Sequence, residues 1–158
     1  MDDKAYRRAL GAFATGVAVV AARTPAGVSG ITINSFTSVS LSPKIVLWCL
    51  DDRSDRYAVF AEAKVWGLSI LAPSQQDIAS RLARQGGHAL EPGDTIDGPE
   101  GAPWLPGALA HLACRTRETH TMGDHLVIAG EVIGFDLRDG DGLTYFRGRY
   151  GVAPAPVV

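Results

Sequence analysis

The chain has 158 residues, with 15 Lys and Arg against 17 Asp and Glu and a formal net charge of −2, and it has no basic run or basic–aromatic stripe, which argues against nucleic acid as a partner. Hydrophobic residues make up 46% and charged residues 20%, the proportions of a globular protein rather than of a disordered or membrane-embedded one. The longest apolar run, Ile45 to Leu50, is far too short to span a bilayer, and the opening MDDKAYRR has no signal-peptide pattern. One cytoplasmic domain over residues 1–158 is expected, with no membrane partner.

Asp2 or Asp3 caps a first helix in which Tyr6, Ala9, Leu10 and Phe13 follow helical spacing, and Gly16 stops it. Val17 to Ala22 and Val28 to Asn34 read as two strands joined by the turn residues Thr24-Pro-Ala-Gly27, a hairpin. The stretch Gly30 to Leu41 then places Thr32, Asn34, Ser35, Thr37, Ser38 and Ser40 among apolar neighbours. A strand with one face in water usually carries long charged residues there, whereas these polar residues are all short and uncharged. Short side chains let a ligand approach the backbone, and closely spaced neutral donors and acceptors suit a flat polar heterocycle.

Ile45 to Leu50 is apolar throughout, as in a strand covered on both faces. Asp51-Asp-Arg-Ser-Asp55 breaks the pattern, and Ser54 or Asp55 caps a short helix carrying Tyr57, Val59 and Phe60. Free N–H groups at that helix start, the Ser54 hydroxyl and Arg53 would suit a phosphate, provided Asp51 and Asp52 point away or accept a hydrogen bond from the ligand. Val65 to Leu71 is a further strand, and Ser74-Gln-Gln-Asp77 has the form of a capping box before a helix with Ile78 and Leu82, beside which lie Arg81 and Arg84. Gln85 to Gly107 is rich in Gly and Pro and reads as a long lid-like excursion, with His88 in solvent.

Ala108 to Arg117 alternates as a strand, Gly123-Asp-His125 turns the chain into a strand over Leu126 to Phe135, and after Asp139-Gly-Asp-Gly142 the segment Leu143 to Phe146 closes the sheet. Gly148 and Gly151 fit tight turns, and Ala153 to Val158 reads as an extended or frayed tail. Strands joined by tight turns rather than helical crossovers predict a mainly β chain, an antiparallel barrel with peripheral helices.

Side chains able to catalyse on their own are missing from the pattern. There is no G-x-S-x-G, no H-E-x-x-H, no P-loop and no G-x-G-x-x-G after a strand, and Cys49 and Cys114 read as separate buried thiols. His120, Asp124 and His125 lack the spacing of a metal site, so none is expected.

Four blocks, GAFATGVAVVAA (Gly11 to Ala22), TINSFTSVSLSP (Thr32 to Pro43), GDH (Gly123 to His125) and YFRGRYG (Tyr145 to Gly151), together resemble the short-chain flavin reductases in order and approximate spacing, and the resemblance runs from Tyr6 to Gly151. It implies the antiparallel Greek-key split β-barrel of the FMN-binding type. It also implies an NAD(P)H:flavin oxidoreductase that uses FMN or FAD with NADH or NADPH and releases reduced flavin to a separate flavin-dependent monooxygenase. The enzyme would be a homodimer with sites near the subunit contact. On this resemblance Thr32, Asn34, Ser35, Ser38, Val39 and Ser40 border the flavin ring and ribityl chain, while Cys49, Asp51, Arg53 and Ser54 meet the ribityl-phosphate end. Arg81, rather than Arg84, reaches the phosphate or adenine end of a dinucleotide; His125 positions the nicotinamide, and Phe146 and Tyr150 lie where the pyridine nucleotide folds. Ala18 and Ser29 depart from the family pattern without touching the flavin edge. The rival reading is a non-enzymatic FMN-binding electron carrier of the same fold, which needs the flavin edge but neither GDH nor YFRGRYG.

Overall fold

The computed structural model of the chain describes residues 2–156. The first helix, α1 (Asp3–Leu10), starts where Asp2 accepts a hydrogen bond from the Lys4 N–H at 2.9 Å. A two-residue strand β1 (Thr15–Gly16) precedes the hairpin of β2 (Ala18–Thr24) and β3 (Gly27–Ile33), paired from Ala18–Ile33 to Thr24–Gly27. Then follow β4 (Thr37–Leu41), β5 (Lys44–Asp51), α2 (Tyr57–Glu62), β6 (Val65–Ile70), α3 (Gln76–Leu82) and three two-residue strands, β7 (Ala89–Leu90), β8 (Ile96–Asp97) and β9 (Pro103–Trp104). The long hairpin of β10 (Ala110–Met122) and β11 (His125–Leu137) turns at Gly123, whose φ of 62° is the left-handed backbone that glycine adopts without strain. The last strands are β12 (Gly142–Phe146) and β13 (Arg149–Ala153).

Eight strands form one antiparallel sheet in the order β4-β5-β11-β10-β6-β2-β3-β7. Trp48 of β5 and Trp66 of β6 lie three places apart in that order, yet their rings meet edge to face at 6.1 Å, so the sheet curls round on itself as the expected barrel. Phe60 of α2 closes the inside of the barrel, at 5.3 Å from Trp48, with Val46, Leu50, Leu68, Leu126 and Ile128 around it. A second core lies on the outer side, where α3 (Ala79, Leu82) and β12 (Leu143) pack on Val19 and Ala21 of β2. Ala18 to Ala22 is thus buried on both faces, which is why that run is apolar and mostly small.

The structure corrects several local expectations. Buried on both faces is β2, not Ile45 to Leu50: β5 alternates, with Val46, Trp48 and Leu50 inside and Ile45, Leu47 and Cys49 half-buried, because its outer face has no helix over it. Thr37–Leu41 is a strand of its own at the sheet edge, cut off from β3 by residues 34–36. β12 does not close the main sheet but pairs with β1 and β13 in a separate three-stranded sheet, in which Gly151 is an ordinary strand residue opposite Thr144; only Gly148, with φ of 81°, serves the turn.

Ser74 makes no cap, because Pro73 opens a 3₁₀ turn and the Gln75 side chain, not Ser74, accepts the Ala72 N–H at 3.1 Å. The excursion is no lid. Ala102, Trp104 and Leu105 are buried, and β9 lies so close on β6 that a Cβ on Gly67 would overlap the Pro103 carbonyl. Its apolar residues cover a sheet face that would otherwise be wet. Of the C-terminal tail, residues 157–158 lie outside the described residues. No helix among the described residues is long and apolar enough to cross a membrane.

Candidate functional site

The end of β3 runs beneath the C-terminal end of α3, with the β12–β13 hairpin on one side and the loop from β5 to α2 on the other. Two cavities meet there. One, of about 450 Å³, is lined by Thr32, Asn34, Ser80, Arg84, Tyr145 and Tyr150. The other, of about 430 Å³, is lined by Thr32, Asp51, Arg53, Ser54, Arg56 and Gln85. Thr32 and Ala83 border both, so the two form one groove along the end of β3. The Thr32 hydroxyl donates to the Ala79 carbonyl at 2.6 Å and so ties the floor of the groove to α3. Tyr145 and Tyr150, ring centroids 5.3 Å apart, make its aromatic wall.

The opposite end is charged. Asp51 accepts from the Arg53 backbone N–H at 2.8 Å, from Nε at 3.2 Å and from Nη2 at 3.1 Å, and these bonds hold its carboxyl down to about 2. Deeper in the chain lies Arg56, 3% exposed, with Nη2 donating to the Arg84 carbonyl at 2.5 Å and Nη1 at 3.1 Å from Asp55. Its Nε has no partner, and burial lowers the pKa of the guanidinium. Sequence reasoning passed over Arg56; its only signal was a charged residue directly before the apolar run of a short helix. The phosphate reading that rested on a helix start changes accordingly. α2 has six residues and begins at Tyr57, and the Ser54 hydroxyl accepts only the Arg56 N–H, at 3.2 Å, so any anion would meet side chains rather than a helix terminus.

Of the residues expected around a flavin, Thr32, Asn34, Asp51, Arg53 and Ser54 line the groove. The Ser35 hydroxyl is turned to β5, where it accepts the Cys49 N–H at 3.0 Å and donates to the Cys49 carbonyl at 3.3 Å. Ser38, Val39 and Ser40 lie on the edge strand β4 and line neither cavity. Cys49 sits half-buried in β5, its thiol pKa raised by burial. Arg81 points away: Nη1 donates to the Ala89 carbonyl at 2.6 Å and Nη2 lies 3.8 Å from Asp94, so it fastens the following loop and leaves the groove to Arg84.

His125 stands opposite Asp51 in the β5–β11 ladder, at the charged end, with Nδ1 2.7 Å from Asp124 Oδ1. The Asp52 N–H donates to the Asp124 carbonyl at 3.0 Å and fastens the GDH turn there. Tyr150 lines the other cavity, and Phe146 is 44% exposed beneath the Arg147 guanidinium at 5.2 Å. The structure therefore does not gather His125, Phe146 and Tyr150 around one cavity of the chain. Strand alternation in β12 turns Tyr145, which sequence reasoning did not single out, into the groove and Phe146 out of it.

Residues 10–154 match the family described as the flavin reductase like domain. The chain belongs to the flavin reductase family. It is 43% identical over 150 residues to the FMN reductase (NADH) SmoA of Agrobacterium fabrum, covering 95% of this chain and 86% of that one. It is 31% identical over 160 residues to HsaB of Rhodococcus jostii, the reductase subunit of a flavin-dependent monooxygenase, covering 100% of this chain and 82% of that one. Among solved structures, the NADH:FAD oxidoreductase SgcE6 of Streptomyces globisporus, in complex with NAD and FAD fragments, superposes with a TM-score of 0.86 at 34% identity, over 95% of this chain and 92% of that one. The flavin reductase fold is thus that of the expected split barrel.

Proposed function

We propose that this flavin reductase family member binds FMN or FAD in the groove along the end of β3 and reduces it with NADH or NADPH, supplying reduced flavin to a partner monooxygenase. The observation that carries the reading is the groove itself: a short-chain polar floor at Thr32 and Asn34, an aromatic wall at Tyr145 and Tyr150, and a buried Arg56 with an unpartnered N–H at the far end. These residues fit a flavin. The floor offers neutral groups to a heterocycle, the tyrosines exclude water from it, and Arg53, Arg56 and Ser54 stand where a phosphate would complete the Arg56 donor set. A bound flavin supplies the hydride-accepting chemistry that none of these side chains has.

What the protein adds is position. Thr32 holds β3 against α3, and the Asp51–Arg53 pair holds the rim of the charged end. The Nδ1 of His125 donates to Asp124, which leaves Nε2 as the face that touches the nicotinamide. Because His125 lies apart from Tyr150 within one chain, a homodimer in which the second copy completes the nicotinamide site is part of the proposal. In its support α1 buries none of its residues, and Tyr6, Leu10 and Phe13 are 54%, 57% and 78% exposed. One cytoplasmic domain accords with the free thiols of Cys49 and Cys114.

Anaerobic stopped-flow mixing of the purified protein and flavin with each nicotinamide tests the activity. Rapid bleaching of flavin absorbance is expected, with a rate loss in His125→Ala at unchanged flavin affinity. Tight flavin binding without bleaching by either nucleotide would overturn the enzyme and leave an electron carrier.

A further inference from the structure

Two loops meet at the charged end of the groove, residues 52–56 between β5 and α2 and residues 83–88 after α3. Gln85 bridges them twice: its Nε2 donates to the Arg53 carbonyl at 3.2 Å and its Oε1 accepts the Asp55 N–H at 3.3 Å. Asp55 Oδ2 accepts the Gly86 N–H at 2.6 Å, and Arg56 Nη2 donates to the Arg84 carbonyl. The far end of the second loop is tied to the floor strand of the groove, because the Gly30 N–H of β3 donates to the His88 carbonyl at 2.8 Å. Between these anchors a Cβ on Gly87 would overlap the Arg81 carbonyl, so the loop is packed hard on the end of α3. Gln85 borders the charged cavity, whereas Asp55 lines neither cavity and can act on a ligand there through Arg56.

A buried guanidinium is costly unless its N–H groups are met. Asp55 Oδ1 meets Arg56 Nη1 at 3.1 Å and the Arg84 carbonyl meets Nη2, while Nε has no partner. Among the described residues, no other carboxylate pairs with Arg56. A guanidinium is a rigid plane, so fixing both Nη atoms fixes where Nε points. The Gly86 N–H, and after it the Arg56 charge, holds the Asp55 carboxyl below its usual range, so it is ionised at neutral pH. Gln85 serves the other side of the fork, since it seats the loop that carries the Arg84 carbonyl. A carboxylate that acted on a nearby phosphate through charge alone would weaken its binding. Position and charge therefore predict opposite signs.

We propose that Asp55 and Gln85 are positioning residues that hold the Arg56 guanidinium ready for the flavin phosphate, and so set the preference of the groove for a phosphorylated flavin over riboflavin. The assignment rests on the proposed flavin site. Asp55 fixes one arm of the guanidinium directly, and Gln85 fixes the other by way of the Arg84 carbonyl.

The test is fluorescence titration of the full-length protein with FMN and with riboflavin, which share ring and ribityl chain and differ in the phosphate, in wild type, Asp55→Asn, Gln85→Ala and Arg56→Gln. Asp55→Asn keeps an oxygen for the Gly86 N–H and loses the ion pair with Arg56. Asp55 and Gln85 are exposed, so both variants keep the fold, which an unchanged riboflavin affinity verifies. Each raises the FMN dissociation constant on the order of tenfold and leaves that of riboflavin within about twofold of wild type. Equal losses for the two ligands would reduce both residues to structural ones and overturn the proposal. Tighter FMN binding in Asp55→Asn would overturn it too, because the charge of Asp55 and not its position would then govern the anion. A loss of FMN preference confined to Arg56→Gln overturns the positioning roles and leaves the phosphate placement standing. Wild-type protein that binds riboflavin as tightly as FMN overturns the phosphate placement and the proposal with it.

Discussion

Ser35 is the residue where a ligand contact and a structural bond predict different outcomes, and Ser35→Ala separates them. β4 pairs with β5 only from Thr37–Leu47 onward, so at Cys49 the neighbouring strand is missing. The Ser35 hydroxyl takes its place, accepting the Cys49 N–H at 3.0 Å and donating to its carbonyl at 3.3 Å. Alanine removes both bonds at a half-buried position, where water replaces them in part. At 0.5–1.5 kcal/mol for a neutral hydrogen bond, the loss is about 1–2 kcal/mol. For a chain of this length that lowers Tm by roughly 3–6 °C. Differential scanning calorimetry reads the shift, and a fluorescence titration reads flavin affinity on the same sample. The reasoning requires a lower Tm with flavin affinity changed less than about threefold. An unchanged Tm with affinity lost tenfold would show that the hydroxyl belongs to the ligand and that the bond to Cys49 contributes nothing.

Three further outcomes follow from the same structure. Gly67→Ala places a Cβ against the Pro103 carbonyl, backbone that has nowhere to move, and should cost about 3 kcal/mol, seen as a drop in urea midpoint at constant slope. The Asp51 carboxyl is depressed to about 2, so its contribution to stability is present above the unfolded-state pKa of about 4 and fades as pH falls toward 2; in Asp51→Asn the acid limb of the stability curve between those values should be shallower. Burial pushes the Cys114 thiol up to about 12, so at pH 8 iodoacetamide should leave it unmodified until the chain is unfolded, as mass spectrometry of the tryptic peptide would report.

The antiparallel barrel was legible in the sequence because its signals are local, whereas its split, FMN-binding form came from the family resemblance. Thr24 to Gly27 and Gly123 to His125 are turn sequences between alternating segments, and a period of two is a property of the strand backbone itself. The same holds for the polar floor at Thr32 and Asn34 and for the rim at Asp51 to Ser54, which lie within or directly beside strands that the pattern marks.

What the tertiary structure decided are matters of direction and partnership across the chain. Arg56 is buried because the Arg84 carbonyl, 28 residues away, folds back over it, and no local pattern records that. Whether Arg81 or Arg84 faces the groove depends on which carbonyls the next loop presents, and whether Tyr145 or Phe146 does depends on the side of β12 that meets β2 and α3. Nor could Ser35 be told from Thr32 as a donor without knowing where β4 leaves β5. Spacing along the sequence sets which face a residue takes relative to its neighbours, while the curl of the sheet sets what that face meets.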